Sequence, residues 1–354
     1  MKITTLYVYP IKALRGIELK EATITPQGIK HDRRFMLFEI KPPSGQLKKM
    51  QLSSYPQCAL FEQQIIADHP SGPTIAVRYH PPPDAEPHGG AHDENPLLVP
   101  LEPGHSVLEK VEMDLHGSGA AAYRMGDAYD AWFTSHFGFA VTLLYIGDGK
   151  RPILGTSMLP KDTTAAQPAA AAVQNKSWIS SLTSYLPSSS STEPSPQQPW
   201  LTFTDVAPLL VTSESSLRDV SARLPKDQPM DMYKFRPNLV VDGEGEAPWA
   251  EDFWAELAVV SGAGEEHTLV LTGNCGRCTS LNVDYEKGRQ ADGELGSVLK
   301  KLMGDRRVDT GTKWSPIFGR YAFPGKGEGD VMVEVGDEVR VVRRNRERSV
   351  WDWP

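Results

Sequence analysis

Through roughly its first 120 residues the chain does not hold one apolar pattern long enough to make a helix. Residues 3–9, 18–25, 34–40, 60–66 and 74–79 are short runs rich in β-branched and aromatic side chains, and Gly or Pro separates them (Pro10, Gly16, Gly28, Pro42-Pro43, Pro56, Pro70). A helix needs about ten or more residues of 3.6-residue periodicity, whereas strands need only four to eight of alternation, so these runs read as strands. Many short strands closed by tight turns predict a small barrel or sandwich.

Length and charge narrow the rest. At 354 residues the chain can bury a large core and divides most naturally into two domains. A net charge of −8 argues against nucleic acid or an anionic membrane surface, because phosphate neutralisation needs a basic face. Three cysteines are too few for a disulfide framework, which points to a reducing, intracellular compartment. No apolar run approaches the ~20 residues of a membrane helix, so no transmembrane segment is expected.

Further along, helical spacing returns. A helix is predicted from Asp127, as N-cap, to Gly138, with Ala128, Trp132 and Phe137 facing inward. A second follows Thr212 or Ser213, with Leu217, Val220 and Leu224 on one face, and a third runs over 293–303. Residues 314–323 and 331–342 read as β again. Residues 162–200 are dominated by Ala, Ser, Thr, Pro and Gln and read as a mobile insertion, with one apolar patch at 178–186 that can form a short amphipathic helix. His80, His88 and His92 sit in a Pro- and Gly-rich stretch with no rigid element to orient metal ligands, which favours a surface loop.

The chemistry concentrates at Cys275-Gly276-Arg277-Cys278, where two of the three cysteines share one turn after the apolar run 268–272. A thiolate is the soft ligand that transition metals select. A structural zinc site would need two more ligands at finger-like spacing, and none follows. A thioredoxin-type dithiol would place the pair at a helix N-terminus, but residues 279–284 read as β-favouring, which predicts strand–turn–strand. A metal-ligating thiolate and a structural turn with inert thiols both remain open at this point.

Six motifs then fall in order: Tyr7-Val8-Tyr9-Pro10-Ile11-Lys12, Asp32-Arg33-Arg34-Phe35-Met36, Phe235-Arg236-Pro237-Asn238, the cysteine turn, Ser315-Pro316-Ile317-Phe318-Gly319-Arg320-Tyr321, and Val335-Gly336-Asp337-Glu338-Val339. In that order they resemble the MOSC family, named for the C-terminal domain of molybdenum cofactor sulfurase, and within it the amidoxime-reducing branch. The resemblance implies a mainly β (α+β) fold: an N-terminal β-barrel domain over 1–125, a connecting helix and strand over 126–161, and a C-terminal MOSC-type β-barrel with flanking helices over 201–350. It also implies a Mo-molybdopterin cofactor between the two, with Cys278 as the metal ligand and Cys275 as its neighbour or a structural thiol. Lys12, Ala13, Arg33, Val206, Ala207, Arg236, Asn238, Gly276, Arg277 and Tyr321 stand at the family's cofactor-binding positions. Lys and Arg are the residue types that hold a phosphate, Arg by bidentate contacts.

The chain departs from the family at Ala13, at Asp205-Val206-Ala207-Pro208, at Gly276 and at Gln51-Leu52, where relatives carry hydroxyl or Arg-Gln side chains. The activity implied is reduction of N-hydroxylated compounds such as amidoximes and hydroxylamines, with Asp205 or Asp284 as acid candidates. Electrons would come from a b-type cytochrome and its flavin reductase. The rival is a non-redox carrier of the cofactor, or of a persulfide on Cys278; nothing here reads as a pyridoxal-dependent desulfurase domain. Cytoplasmic and mitochondrial locations both stay open.

Overall fold

A computed structural model describes residues 1–84, 95–160, 198–327 and 329–354. Seven strands close into a barrel: β1 (Lys2–Val8), β2 (Leu209–Ser213), β3 (Leu239–Asp242), β4 (Trp254–Val260), β5 (Glu266–Gly276), β6 (Ile317–Pro324) and β7 (Glu338–Arg344). Around the ring the order is β3-β2-β6-β5-β4-β7-β1, and β1 returns to β3 through Lys2↔Asp242 and Leu6↔Leu239. Closure leaves no unpaired edge among the seven. Alternation fills the interior, since every second residue of a strand points the same way: Ile3, Leu209 and Val211, Leu239 and Val241, Leu257 and Val259, and Leu269 and Leu271 form one core with the fully buried Trp254. Each such side chain contributes about 1.5–3 kcal/mol of burial.

The one parallel pair in this barrel, β2 with β3, needs a crossover. Helix α2 (Glu214–Ser221) supplies it, starting where the Ser213 hydroxyl accepts from the Ser215 amide at 3.2 Å. Because α2 and the short α3 (Val298–Met303) cover the outer face, β3 is apolar on both sides, and Val240 joins a second cluster with Phe235, Leu281 and Phe318.

The other unit holds a five-stranded antiparallel sheet ordered Glu109–Leu115, Ser118–Arg124, Val141–Tyr145, Phe35–Lys41, Gln46–Lys49, and a three-stranded sheet of Phe61–Ile66, Thr74–Tyr79 and Leu97–Pro100. Helix α1 (Asp127–Phe137) packs between them, with Phe61 stacked on Phe137 at 4.8 Å and near Phe133 at 5.7 Å. The protein is thus mostly strand, a closed barrel beside a half-barrel, as the resemblance implied.

Three local expectations are corrected. Gly126, not Asp127, occupies the N-cap of α1; Trp132 and Phe137 do pack against the core as expected, but Ala128 is exposed and the buried residues of the helix are Asp130 and Phe133. Asp130 is drawn inward because its carboxylate accepts from the Leu143 amide at 3.0 Å and from Arg124 at 2.8 Å, which pins the helix to the sheet. Residues Thr279–Asn282 form a single 3₁₀ turn rather than a strand, because Leu281 is drawn into the Phe235–Phe318 cluster. Cys278 is the N-cap of that turn. The histidines at 88 and 92 and the patch at 178–186 lie outside the described residues.

Candidate functional site

A cleft opens where three chain regions meet: the loop after β1, the segment leading into β2, and the end of β5. It is lined among others by Lys12, Ala13, Arg33, Asp205, Ala207, Arg236, Asn238, Gly276, Arg277, Cys278 and Tyr321, and encloses a cavity of about 120 Å³. Of the expected cofactor-binding residues only Val206 is absent from the lining, packed with Leu201, Cys275 and Trp353 instead, and of the two acid candidates Asp205 lines the cleft whereas Asp284 does not. Backbone geometry aims the cations. Ala13 (φ 74°), Arg33 (φ 48°) and Arg236 (φ 55°) all adopt the left-handed region that L-residues rarely use, and such strain persists only where the surroundings impose it. The segment before β2 is held close because Gly28 (φ 102°) has no Cβ to strike the Pro208 carbonyl, which would lie 2.3 Å from one.

Lys12, Arg33, Arg236 and Arg277 line the cleft together with one carboxylate, Asp205. Lys12 is buried, its ammonium donating to Asp205 and, at 2.8 Å, to the Phe203 carbonyl. Burial pushes its pKa down to about 8 although Asp205 works the other way. Burial also opposes the charge of Asp205, but Lys12 and His116 outweigh it and hold the carboxyl well below its usual range. Asp205 is therefore an ionised partner of Lys12, and not a neutral acid waiting to donate.

Arg33 and Arg236 sandwich the buried Tyr9 ring at 4.5 and 4.3 Å. Arg33 is tied to Asp32, Asn238 and the Arg236 carbonyl, whereas Arg236 donates from Nη1 to the Leu14 carbonyl at 2.8 Å and leaves its buried Nη2 without a partner. Asn238 lines the cleft with its polar atoms already engaged: Oδ1 accepts from the Leu210 amide at 3.1 Å and Nδ2 donates to the Tyr7 carbonyl at 3.3 Å.

Two bulges in β5, between Leu271 and Gly273 and between Asn274 and Gly276, turn the strand's end toward the cleft. The two cysteines emerge in different environments. Cys275 is buried, accepts from Arg277 Nη1 at 2.9 Å and lies 3.3 Å from the Tyr321 hydroxyl; burial raises its pKa. Cys278 is exposed, with Ser280 Oγ 3.2 Å from its sulfur. Arg277 donates from Nη2 to the Phe235 carbonyl at 2.8 Å and keeps its charge because the field of Cys275, Cys278 and Tyr321 outweighs the cost of burying it. Among the described residues no three His, Cys, Asp or Glu side chains converge to hold a metal ion, so the protein's own metal-binding offer here is a single thiolate.

Sequence reading missed two neighbours of this cleft. Arg151 is fully buried behind Asp205, donating to the carbonyls of Leu115, Ser118, Thr202, Thr204 and Asp205. His116 reaches Asp205 from a hairpin tip. An Arg beside the insertion and a lone His-Gly turn carry no motif that marks them. Gln51, Leu52 and Ser53, the side that departs from the family pattern, do line the cleft. Asp284 instead caps its own turn, accepting from the amides of Glu286 and Lys287.

Residues 1–139 match the MOSC N-terminal beta barrel domain and residues 198–340 match the MOSC domain. Among curated proteins, the chain is 24% identical over 353 residues to a molybdenum cofactor sulfurase of Solanum lycopersicum, covering 95% of this chain and 35% of that protein. It is 34% identical over 126 residues to mitochondrial amidoxime-reducing component 1 of Danio rerio, covering 36% of this chain and 35% of that one. Mitochondrial amidoxime reducing component 2 of Rattus norvegicus is 25% identical over 325 residues, 90% of this chain and 78% of that one. The chain thus spans about a third of the length of the first two relatives.

Proposed function

The chain belongs to the MOSC family, carrying both its N-terminal beta barrel domain and its MOSC domain, and on that premise we propose that it is a molybdenum cofactor-dependent reductase of N-hydroxylated compounds. The observation that carries the reading is the donor set of one cleft: an accessible thiol at Cys278, four lining cations of which Lys12 and Arg33 are paired with Asp205 and Asp32, and a buried guanidinium nitrogen of Arg236 with no partner. An anionic, phosphate-ended pterin fits that set. Cys278 would ligate the metal, Arg236 and Arg277 with Lys12 and Arg33 would hold the anionic end, and the amides around Ala13, Ala207 and Gly276 would replace the missing hydroxyls. Cys275 is an unsuitable ligand, since Arg277 and Tyr321 already engage it.

When bound, the cofactor supplies a two-electron centre with an open position at which an N–O bond can be broken. The chain's own residues bind and orient around that position. Lys12 and Asp205 form an ion pair in the cleft, and the buried Tyr321 lines it with them. Reduction of an amidoxime to an amidine takes two electrons and two protons and releases water. The electrons would come from a b-type cytochrome and its flavin reductase. The likeness to a molybdenum cofactor sulfurase, over 95% of this chain and 35% of that protein, favours one other reading, a carrier of the cofactor or of a persulfide on Cys278.

One preparation separates the two. The reductase predicts stoichiometric molybdenum, loss of that metal in Cys278→Ala, and amidoxime reduction with a chemical electron donor. Fully loaded protein that reduces no N-hydroxylated compound sinks it, and a persulfide without molybdenum supports the carrier.

A further inference from the structure

A second cavity, of about 530 Å³, lies on the outer face of the seven-stranded barrel and shares no lining residue with the cleft. Its volume is in the range of small-molecule sites. Strand alternation builds its floor: Leu269 and Leu271 point into the barrel core, which turns Val270 and Thr272 of β5 outward. Ala255 on the neighbouring β4 extends that floor, and Leu159 and Val350 wall it. Val350 is 51% exposed, so the wall shows apolar surface to water that a ligand body can cover. Thr272 stands in the floor with a hydroxyl that finds no partner among the described residues.

Charge at the rim decides what kind of body fits. The chain leaves β7 as Arg343-Arg344-Asn345-Arg346-Glu347-Arg348, and Arg343 and Arg348 line the cavity. Arg344 turns away to Glu246. Arg343 uses only its Nε, on Glu256 at 3.4 Å, a half-exposed pair that holds it weakly. Arg348 also uses only its Nε, on Asp252 at 2.8 Å, and Arg306 already takes both oxygens of that carboxylate at 2.8 and 2.9 Å. The Nη nitrogens of Arg343 and Arg348 therefore have no hydrogen-bond acceptor among the described residues, and Arg346 between them has no ion-pair partner there. Glu347 is the single acid in the lining. A guanidinium with its outer nitrogens free takes an oxyanion through parallel N–H bonds.

We propose that this cavity is a binding site for a small amphipathic carboxylate. Its carboxylate lies against Arg343 and Arg348, and its apolar body, an aryl ring or short alkyl chain, covers Val270, Ala255, Leu159 and Val350. The rim favours the anion over a neutral molecule of the same shape and rejects a cation. The site is separate from the cleft and does not rest on the reductase reading.

The test uses the full chain as purified and calorimetric titration with phenylbutyrate, with phenylbutanol as its neutral and phenylbutylamine as its cationic counterpart. Phenylbutyrate should bind one-to-one and about 10-fold or more tighter than the alcohol, and the amine should show no saturable binding. Arg343→Glu, a change at an exposed position, should weaken phenylbutyrate about 10-fold or more, whereas Arg236→Gln in the cleft should leave its affinity within about twofold. On the unsubstituted protein, benzophenone carboxylate irradiated in place and mapped by tandem mass spectrometry should label Val270 or Val350 and spare residues 275–278. Equal affinity for acid and alcohol, no saturable binding of the acid, unchanged binding in Arg343→Glu, loss of binding in Arg236→Gln, or label at the cysteine turn overturns the site.

Discussion

Replacing Lys12 with Met should change how stability responds to pH in a way that few single substitutions can. Lys12 is buried beside Asp205, and burial pushes its pKa from the ordinary 10.5 down to about 8. Between those two values the unfolded chain holds a proton that the native protein has released. Stability rises with pH wherever the unfolded state binds more protons, so this residue adds stability from pH 8 upward and levels off near 10.5. A shift of that size corresponds to about 3 kcal/mol at ~1.36 kcal/mol per unit. Other groups move the opposite way in the same range: burial raises the Cys58 thiol to about 12 and lifts Cys275 and Tyr321 as well. These contributions are common to both proteins and cancel in a difference. Urea unfolding of cofactor-free protein and of Lys12→Met at matched pH values from 7 to 10.5 should give a stability difference that climbs in favour of the unsubstituted protein by about 3 kcal/mol. A difference that stays flat across that window would refute the claim that burial, and not the Asp205 pairing, controls the charge of Lys12.

Two further outcomes follow from the same geometry. Iodoacetamide should label Cys278 in the folded protein and reach Cys58 and Cys275 only on unfolding, as read by peptide mass spectrometry; early labelling of Cys275 would contradict its burial against Arg277. Arg151→Met should destabilise the protein by about 3 kcal/mol, because several buried carbonyls lose charged donors worth ~1.5–3 kcal/mol each, partly offset by relief of a buried charge. A change below about 0.5 kcal/mol in urea unfolding would show that water replaces the guanidinium.

Local elements were legible where one short-range pattern governed them. The strands at 34–40, 60–66 and 74–79 come within a residue or so of Phe35–Lys41, Phe61–Ile66 and Thr74–Tyr79, and α2 begins at the Ser213 cap that the sequence offers. Reading failed where a distant contact overruled propensity. The β-favouring Thr279–Asn282 became a 3₁₀ turn because Leu281 is buried beside Phe235 and Phe318, and α1 buries the charged Asp130 because the sheet offers the Leu143 amide. The partner of β1 was beyond any local signal: Lys2 pairs with Asp242, and no periodicity announces a contact across the length of the chain.

The residue types of the cleft were written in the chain, since soft thiols, guanidiniums and an ammonium declare their chemistry without coordinates. The surroundings each of them meets were set by folding. Which cysteine faces outward, why Lys12 is easily discharged while Asp205 stays ionised, and how His116 comes to stand over that carboxylate all depend on desolvation and on charges a few ångströms away. Those are properties of groups brought together from distant parts of the chain, and they do not exist until the barrel closes.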